Sequence, residues 1–151
     1  MVLRDQVEIR RSPREVWTWI EDPMRTPSWN PRVKAVKPAG WGARGPGYRY
    51  YAVYELRGKV SEMQAEIEEY RPPLRLSIRL TGGRLPPGAA ARETYDLFAV
   101  ECGTRLVQTV TVAEGGIPFL FRALIWIIQR FGRPTGKTFL TTLKELIEGQ
   151  T

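Results

Sequence analysis

The sequence predicts an α+β domain in which one antiparallel sheet, wet on one face, packs its other face against a C-terminal helix. Three observations carry this. Apolar and polar residues alternate with period two through most of residues 48 to 112, and the period turns helical after Gly115-Gly116. A capped helix start at Ser12-Pro13-Arg14-Glu15 follows the first strand-like run. A sheet that is apolar on one face has to bury that face against another layer, which makes the C-terminal helix its natural partner.

Residues 2 to 11 alternate as a first strand. Ser12 is placed as an N-cap, Pro13 at the first helical position and Glu15 to close a capping box, so a helix runs to about Glu21 with Val16, Trp17 and Ile20 on its core face. Asp22-Pro23 ends it, a second helical turn covers Met24 to Trp29, and a strand follows through Val33 and Val36. Beyond the Gly-rich turn at 40 to 47, Tyr48, Tyr50, Ala52 and Tyr54 share one strand face, with Arg49 and Glu55 on the other. From Val60 to Tyr70 the alternation is sharp: Met63, Ala65 and Ile67 oppose Glu62, Gln64, Glu66 and Glu68. Arg71-Pro72-Pro73 turns the chain into Leu74, Leu76, Ile78 and Leu80, interleaved with Arg75, Ser77 and Arg79. After the loop TGGRLPPGAA, residues 92 to 100 and 104 to 112 form a hairpin around Glu101-Cys102-Gly103. Phe139, Leu140, Leu143, Leu146 and Ile147 then space out an amphipathic helix.

Length fits one domain, residues 1 to 151, with a core of its own. Composition narrows the chemistry. The chain has no histidine, which removes His-dependent triads and most catalytic metal sites, and a single Cys102 can neither close an internal disulfide nor build a zinc site. No metal or other cofactor is expected. The 23 Lys and Arg against 16 Asp and Glu are scattered rather than striped, so nucleic-acid binding is not expected. No apolar run is long enough for a membrane span and the N-terminus does not read as a signal peptide, so a cytoplasmic protein is expected. GRPTGKT at 132 to 138 resembles a phosphate-binding loop but fails as one. Its spacer before Gly-Lys is three residues rather than four, and the stretch before it is too long and too apolar for one strand. Gly132, Pro134 and Gly136 read as a break or hinge between helical segments.

The order strand, two short helices, six strands and long helix, together with the residues along it, resembles the START-like superfamily, known as SRPBCC. Val16, Trp17, Asp22, Trp29 and Pro31 match its opening, Tyr70-Arg71-Pro72-Pro73 a turn, Gly103-Thr104-Arg105 the last hairpin and Leu143-Lys144-Glu145-Leu146 the closing helix. The similarity covers essentially the whole chain and is best to the polyketide cyclase/dehydrase and lipid-transport group. It implies a helix-grip fold: a curved seven-stranded antiparallel sheet wrapped around a long C-terminal helix, with an apolar cavity between them. It also implies binding of a lipid, sterol-like molecule, quinone or polyketide, as a carrier or, in the alternative, an enzyme of the cyclase/dehydrase type. The interruption at Gly132 to Gly136 departs from the family pattern.

Sheet parity nominates residues that face such a cavity: Tyr50, Tyr54, Met63, Ile67, Leu76, Ile78, Tyr95, Leu97, Leu106, Gln108 and Val110, each of them equally a plain core residue. Glu93 shares the parity of Tyr95 and Leu97 and is the candidate acid–base group, because an inward carboxylate in an apolar site has its pKa raised. The competing reading puts Glu93 at the rim of the cavity, paired with an arginine. Residues 117 to 131 are apolar nearly all round and admit three readings: a helix buried by the sheet, a gate making transient membrane contact through Phe119, Phe121 and Trp126, or a homodimer patch; Phe119 and Trp126 are also expected among the ligand-binding residues.

Overall fold

The computed structural model describes residues 2–40, 42–56, 58–83, 85, 89–112 and 139–149. The segment 117–131, with Phe119 and Trp126, and the whole of GRPTGKT lie outside these residues. The chain order is β1 (Val2–Ile9), α1 (Pro13–Ile20), a 3-10 turn (Pro23–Arg25), α2 (Thr26–Trp29), β2 (Val33–Pro38), β3 (Arg49–Leu56), β4 (Lys59–Arg71), β5 (Arg75–Gly82), β6 (Ala91–Val100), β7 (Gly103–Val112) and α3 (Phe139–Glu148). The seven strands form one antiparallel sheet in the order β1-β7-β6-β5-β4-β3-β2. The fold is thus the α+β helix-grip architecture that the alternation and the resemblance predict.

Local chemistry sets the element ends. Ser12 Oγ accepts from the Glu15 backbone N–H at 3.3 Å and Pro13 opens α1, while Asp22 Oδ1 accepts from Met24 N–H at 3.0 Å and starts the 3-10 turn. Trp17 and Ile20 go inside with Val16, which is fully buried, as their helical spacing predicts. The β6–β7 hairpin turns on Gly103, whose φ of 148° suits glycine, and an added Cβ there would sit 2.1 Å from the Ile9 carbonyl oxygen. The turn therefore depends on glycine both for its backbone and for its close approach to the end of β1.

One face of the sheet carries the core: Tyr50, Ala52, Ala65, Ile67, Leu76, Ile78, Leu80, Tyr95, Leu97 and Leu106 are buried on it. The α3 helix adds Leu140, Leu143 and Ile147, at spacings of three and four, each contributing about 1.5–3 kcal/mol by burial. Leu146 is 37% exposed and does not belong to that stripe, contrary to expectation. Polar contacts also tie α3 to the end of β1. Lys144 Nζ donates to the Glu8 carbonyl at 2.6 Å, and Glu148 Oε1 accepts from Arg10 N–H and from Lys144 Nζ, each at 2.9 Å.

Two expectations about β5 need correction. Leu74 lies in the turn before the strand, its N–H donating to the Arg71 carbonyl, and its side chain is exposed. Ser77 has outward parity but is buried opposite Thr94, with their hydroxyls 3.2 Å apart. The reason is its neighbours: the Arg75–Asp96 and Arg92–Glu68 ion pairs, at 2.9 and 2.8 Å, lie on either side of this pair, and long side chains cover short ones.

Candidate functional site

The inward side chains of β6 and β7 converge on one polar cluster within the apolar face. Glu93 and Tyr95 are two apart on β6 and so share a face; Gln108 on β7 is in register with Tyr95. The Tyr95 hydroxyl donates to Glu93 Oε1. Gln108 Nε2 donates to the same oxygen at 2.8 Å and lies 3.3 Å from the Tyr95 hydroxyl. Gln108 and Tyr95 are 6% and 3% exposed, so this network is interior rather than a surface contact.

The cluster faces a cavity of about 20 Å³, lined on the sheet side by Tyr50, Ala52, Tyr54, Ile67, Leu76, Ile78, Glu93 and Tyr95. Its other wall comes from the short helices and β2, including Ile20, Glu21, Trp29, Asn30, Val33 and Val36. That volume admits about one water molecule. Trp29 stands edge-on to Tyr95 with centroids 6.2 Å apart, and its other ring neighbour is Phe139 at the start of α3. Its Nε1 is buried with no hydrogen-bond partner among the described residues.

Burial governs the electrostatics. Glu93 keeps some accessible surface because it lines the cavity, yet desolvation raises its carboxyl above the usual range, and the Tyr95 and Gln108 hydrogen bonds offset this only in part. Desolvation, reinforced by the Glu93 charge, raises Tyr50, Tyr54 and Tyr95 as well, so all three keep their phenolic protons at neutral pH. Glu93 has no arginine partner among the described residues. The neighbouring Arg92 points to the other face and pairs with Glu68, so it is not the arginine partner that the rim reading of Glu93 calls for.

Beside the cavity, Glu21 accepts from Arg44 Nε at 2.8 Å, from Arg44 Nη2 at 3.0 Å and from the Tyr70 hydroxyl at 3.1 Å. Trp17 braces Tyr70 edge-on at 5.3 Å. This clasp ties the β2–β3 loop to the end of α1.

Of the nominated residues, Tyr50, Tyr54, Ile67, Leu76, Ile78, Glu93 and Tyr95 line the cavity, and Gln108 reaches Glu93 from the adjacent strand without lining it. Leu97 and Leu106 are buried in the core without lining it, while Met63 and Val110 are partly buried and pack against that core. Phe119 and Trp126 lie outside the described residues. Parity along strands missed the contribution of the helices, Trp29 above all; the Trp-x-Pro pattern at 29 to 31 was its only signal. Among the described residues no group of side chains could hold a metal ion, and no helix is long and apolar enough to cross a membrane.

A family model described as polyketide cyclase/dehydrase and lipid transport matches residues 2–148. No curated protein sequence matches the chain. Among solved structures, a protein from Thermus thermophilus is similar at 21% identity and a TM-score of 0.77, covering 99% of this chain and 98% of that one. A START superfamily protein from Mycobacterium smegmatis is similar at 13% identity and a TM-score of 0.72, with 99% of each chain covered. A protein from Nitrosomonas europaea reaches 17% identity and 0.70, covering 99% of this chain and 95% of that one. At such identities these likenesses speak to the fold.

Proposed function

The chain belongs to the START-like polyketide cyclase/dehydrase and lipid-transport family, and from that premise we propose that it binds a small hydrophobic molecule between the sheet and the C-terminal helix, as a carrier or binding protein. One observation carries the reading: a hydrogen-bonded Glu93–Tyr95–Gln108 cluster faces a cavity lined mainly by apolar and aromatic side chains, with Glu21, Thr26 and Asn30 among them on the side of the short helices. Apolar area supplies affinity in such sites and a few fixed polar groups supply orientation. A cavity of about 20 Å³ holds only the head of a ligand, so loading requires the walls to part. The ligand class is a lipid, a sterol-like molecule, a quinone or a polyketide.

Native mass spectrometry of the purified protein, repeated after organic extraction, tests this. A stoichiometric apolar molecule that leaves on extraction supports the carrier reading. A protein that neither retains such a molecule nor takes one up from an added extract contradicts it.

A second reading, a cyclase/dehydrase type enzyme, is favoured by the raised Glu93 carboxyl beside a tyrosine hydroxyl, since burial that raises a carboxyl's pKa makes it a stronger general base and leaves more of it protonated to act as an acid. Glu93→Gln separates the two. In an enzyme it abolishes turnover; in a carrier it changes affinity alone.

A further inference from the structure

We propose that the Glu93 pocket receives the protonated amine head of an apolar ligand. The inference rests on the hydrophobic-ligand reading and specifies the polar end of that ligand. Both protein donors to Glu93, the Tyr95 hydroxyl and Gln108 Nε2, go to Oε1, which leaves Oε2 without a protein donor among the described residues. No described lysine or arginine pairs with this carboxylate; the cations of β5 and β6 are engaged by Glu68, Glu69 and Asp96. Among the described residues this carboxylate has no counter-charge; an enclosed carboxylate in that position is costly, and the cost is relieved when a bound molecule brings a cation into hydrogen-bond contact.

The walls suit such a head. Trp29 and Tyr95 meet edge to face at 85°, and Tyr50 and Tyr54 line the same cavity with hydroxyls that bond to no described residue. Tyrosine and tryptophan faces attract organic cations, and a phenolic oxygen also accepts from an ammonium. A cavity of about 20 Å³ is the size of one water, which is also the scale of a primary ammonium group. The competing head is a carbonyl, which would draw on the unpartnered Trp29 Nε1 but leave the carboxylate without a cation.

Isothermal titration calorimetry at pH 7 with n-octylamine, 1-octanol and 2-octanone tests the assignment, since the three share an apolar body and differ at the head. The amine, charged at that pH as a lysine is, is expected to bind at least about tenfold tighter than the other two, and Glu93→Gln to remove the preference. Equal binding, a ketone preference, or an amine preference that survives in folded Glu93→Gln overturns the amine assignment and leaves the hydrophobic-ligand reading standing. Binding of none of the three overturns the amine assignment and counts against the broader reading as well. The wild-type ranking decides alone if Glu93→Gln does not fold.

Discussion

The Tyr95 hydroxyl donates to Glu93 Oε1 from two residues along the same strand, and Gln108 reaches that oxygen from the strand beside it. Both bonds favour the ionised carboxylate, opposing the burial that disfavours it. Tyr95→Phe removes one of them and keeps the ring. The Glu93 pKa is therefore expected to rise further in the variant, as read from the carboxyl carbon shift in a ¹³C NMR titration. An unchanged or lowered value would mean that the hydroxyl does not stabilise the charge.

Glu93 also sets a pH dependence of stability. Its folded-state pKa lies above the unfolded one, so its contribution is complete below the unfolded value of about 4.3 and is lost as pH rises through the folded value. Among the described residues the groups near it are Gln108 and the hydroxyls of Tyr95, Tyr50 and Tyr54, and the tyrosines stay protonated across that range. Glu93→Gln should accordingly unfold at higher urea than the wild type near pH 8, with the gap narrowing towards pH 4. Parallel curves for the two proteins would show that Glu93 titrates as it does when unfolded.

Much of this arrangement is legible in the sequence because a half-buried strand has a strict period. Parity places Glu93, Tyr95, Leu97 and Gln108 on one face, and the sharp alternation of Met63, Ala65 and Ile67 against glutamates leaves no doubt about the inner side of β4. Register is a different matter. That Gln108 faces Tyr95 depends on where the β6–β7 turn closes, and the turn depends on Gly103 fitting under the Ile9 carbonyl, a contact across the fold. Trp29 is invisible to parity because its burial comes from a four-residue helix meeting Tyr95 and Phe139. Ser77 and Thr94 violate the outward rule because neighbouring ion pairs roof them, which only side-chain positions reveal.

Gly103 yields a stability prediction with an internal control. A methyl group there would clash with the Ile9 carbonyl at 2.1 Å on a backbone with φ of 148°, and the colliding atom is backbone, which cannot swing aside. Gly103→Ala is expected to cost on the order of 3 kcal/mol in urea unfolding. Gly45→Ala, where nothing lies within 4 Å, should stay within about 0.5 kcal/mol of the wild type. Similar values for the two would refute the close-packing account of the hairpin.

Glu148 gives the opposite pH signature to Glu93. Its carboxylate accepts from Lys144 Nζ and from the Arg10 backbone N–H, and these bonds, the lysine one first, hold its pKa below the ordinary value. A lowered folded-state pKa means that the contribution is present above the unfolded value of about 4.3 and is lost as pH falls through the folded one. Glu148 is 23% and Lys144 32% exposed at the side chain, so solvent screens the pair and the contribution is about 0.5–1 kcal/mol. Glu148→Gln should therefore be less stable than the wild type at pH 7 and match it near pH 3. Together with the Glu93 variant this separates the two ends of the stability curve: one carboxyl weakens the fold as pH rises, the other as it falls. Because Glu148 joins α3 to the end of β1, hydrogen exchange at pH 7 should quicken first at Leu140, Leu143 and Ile147 in the variant. Exchange that quickened evenly over the sheet would mean that the contact supports the whole fold rather than the docking of that helix.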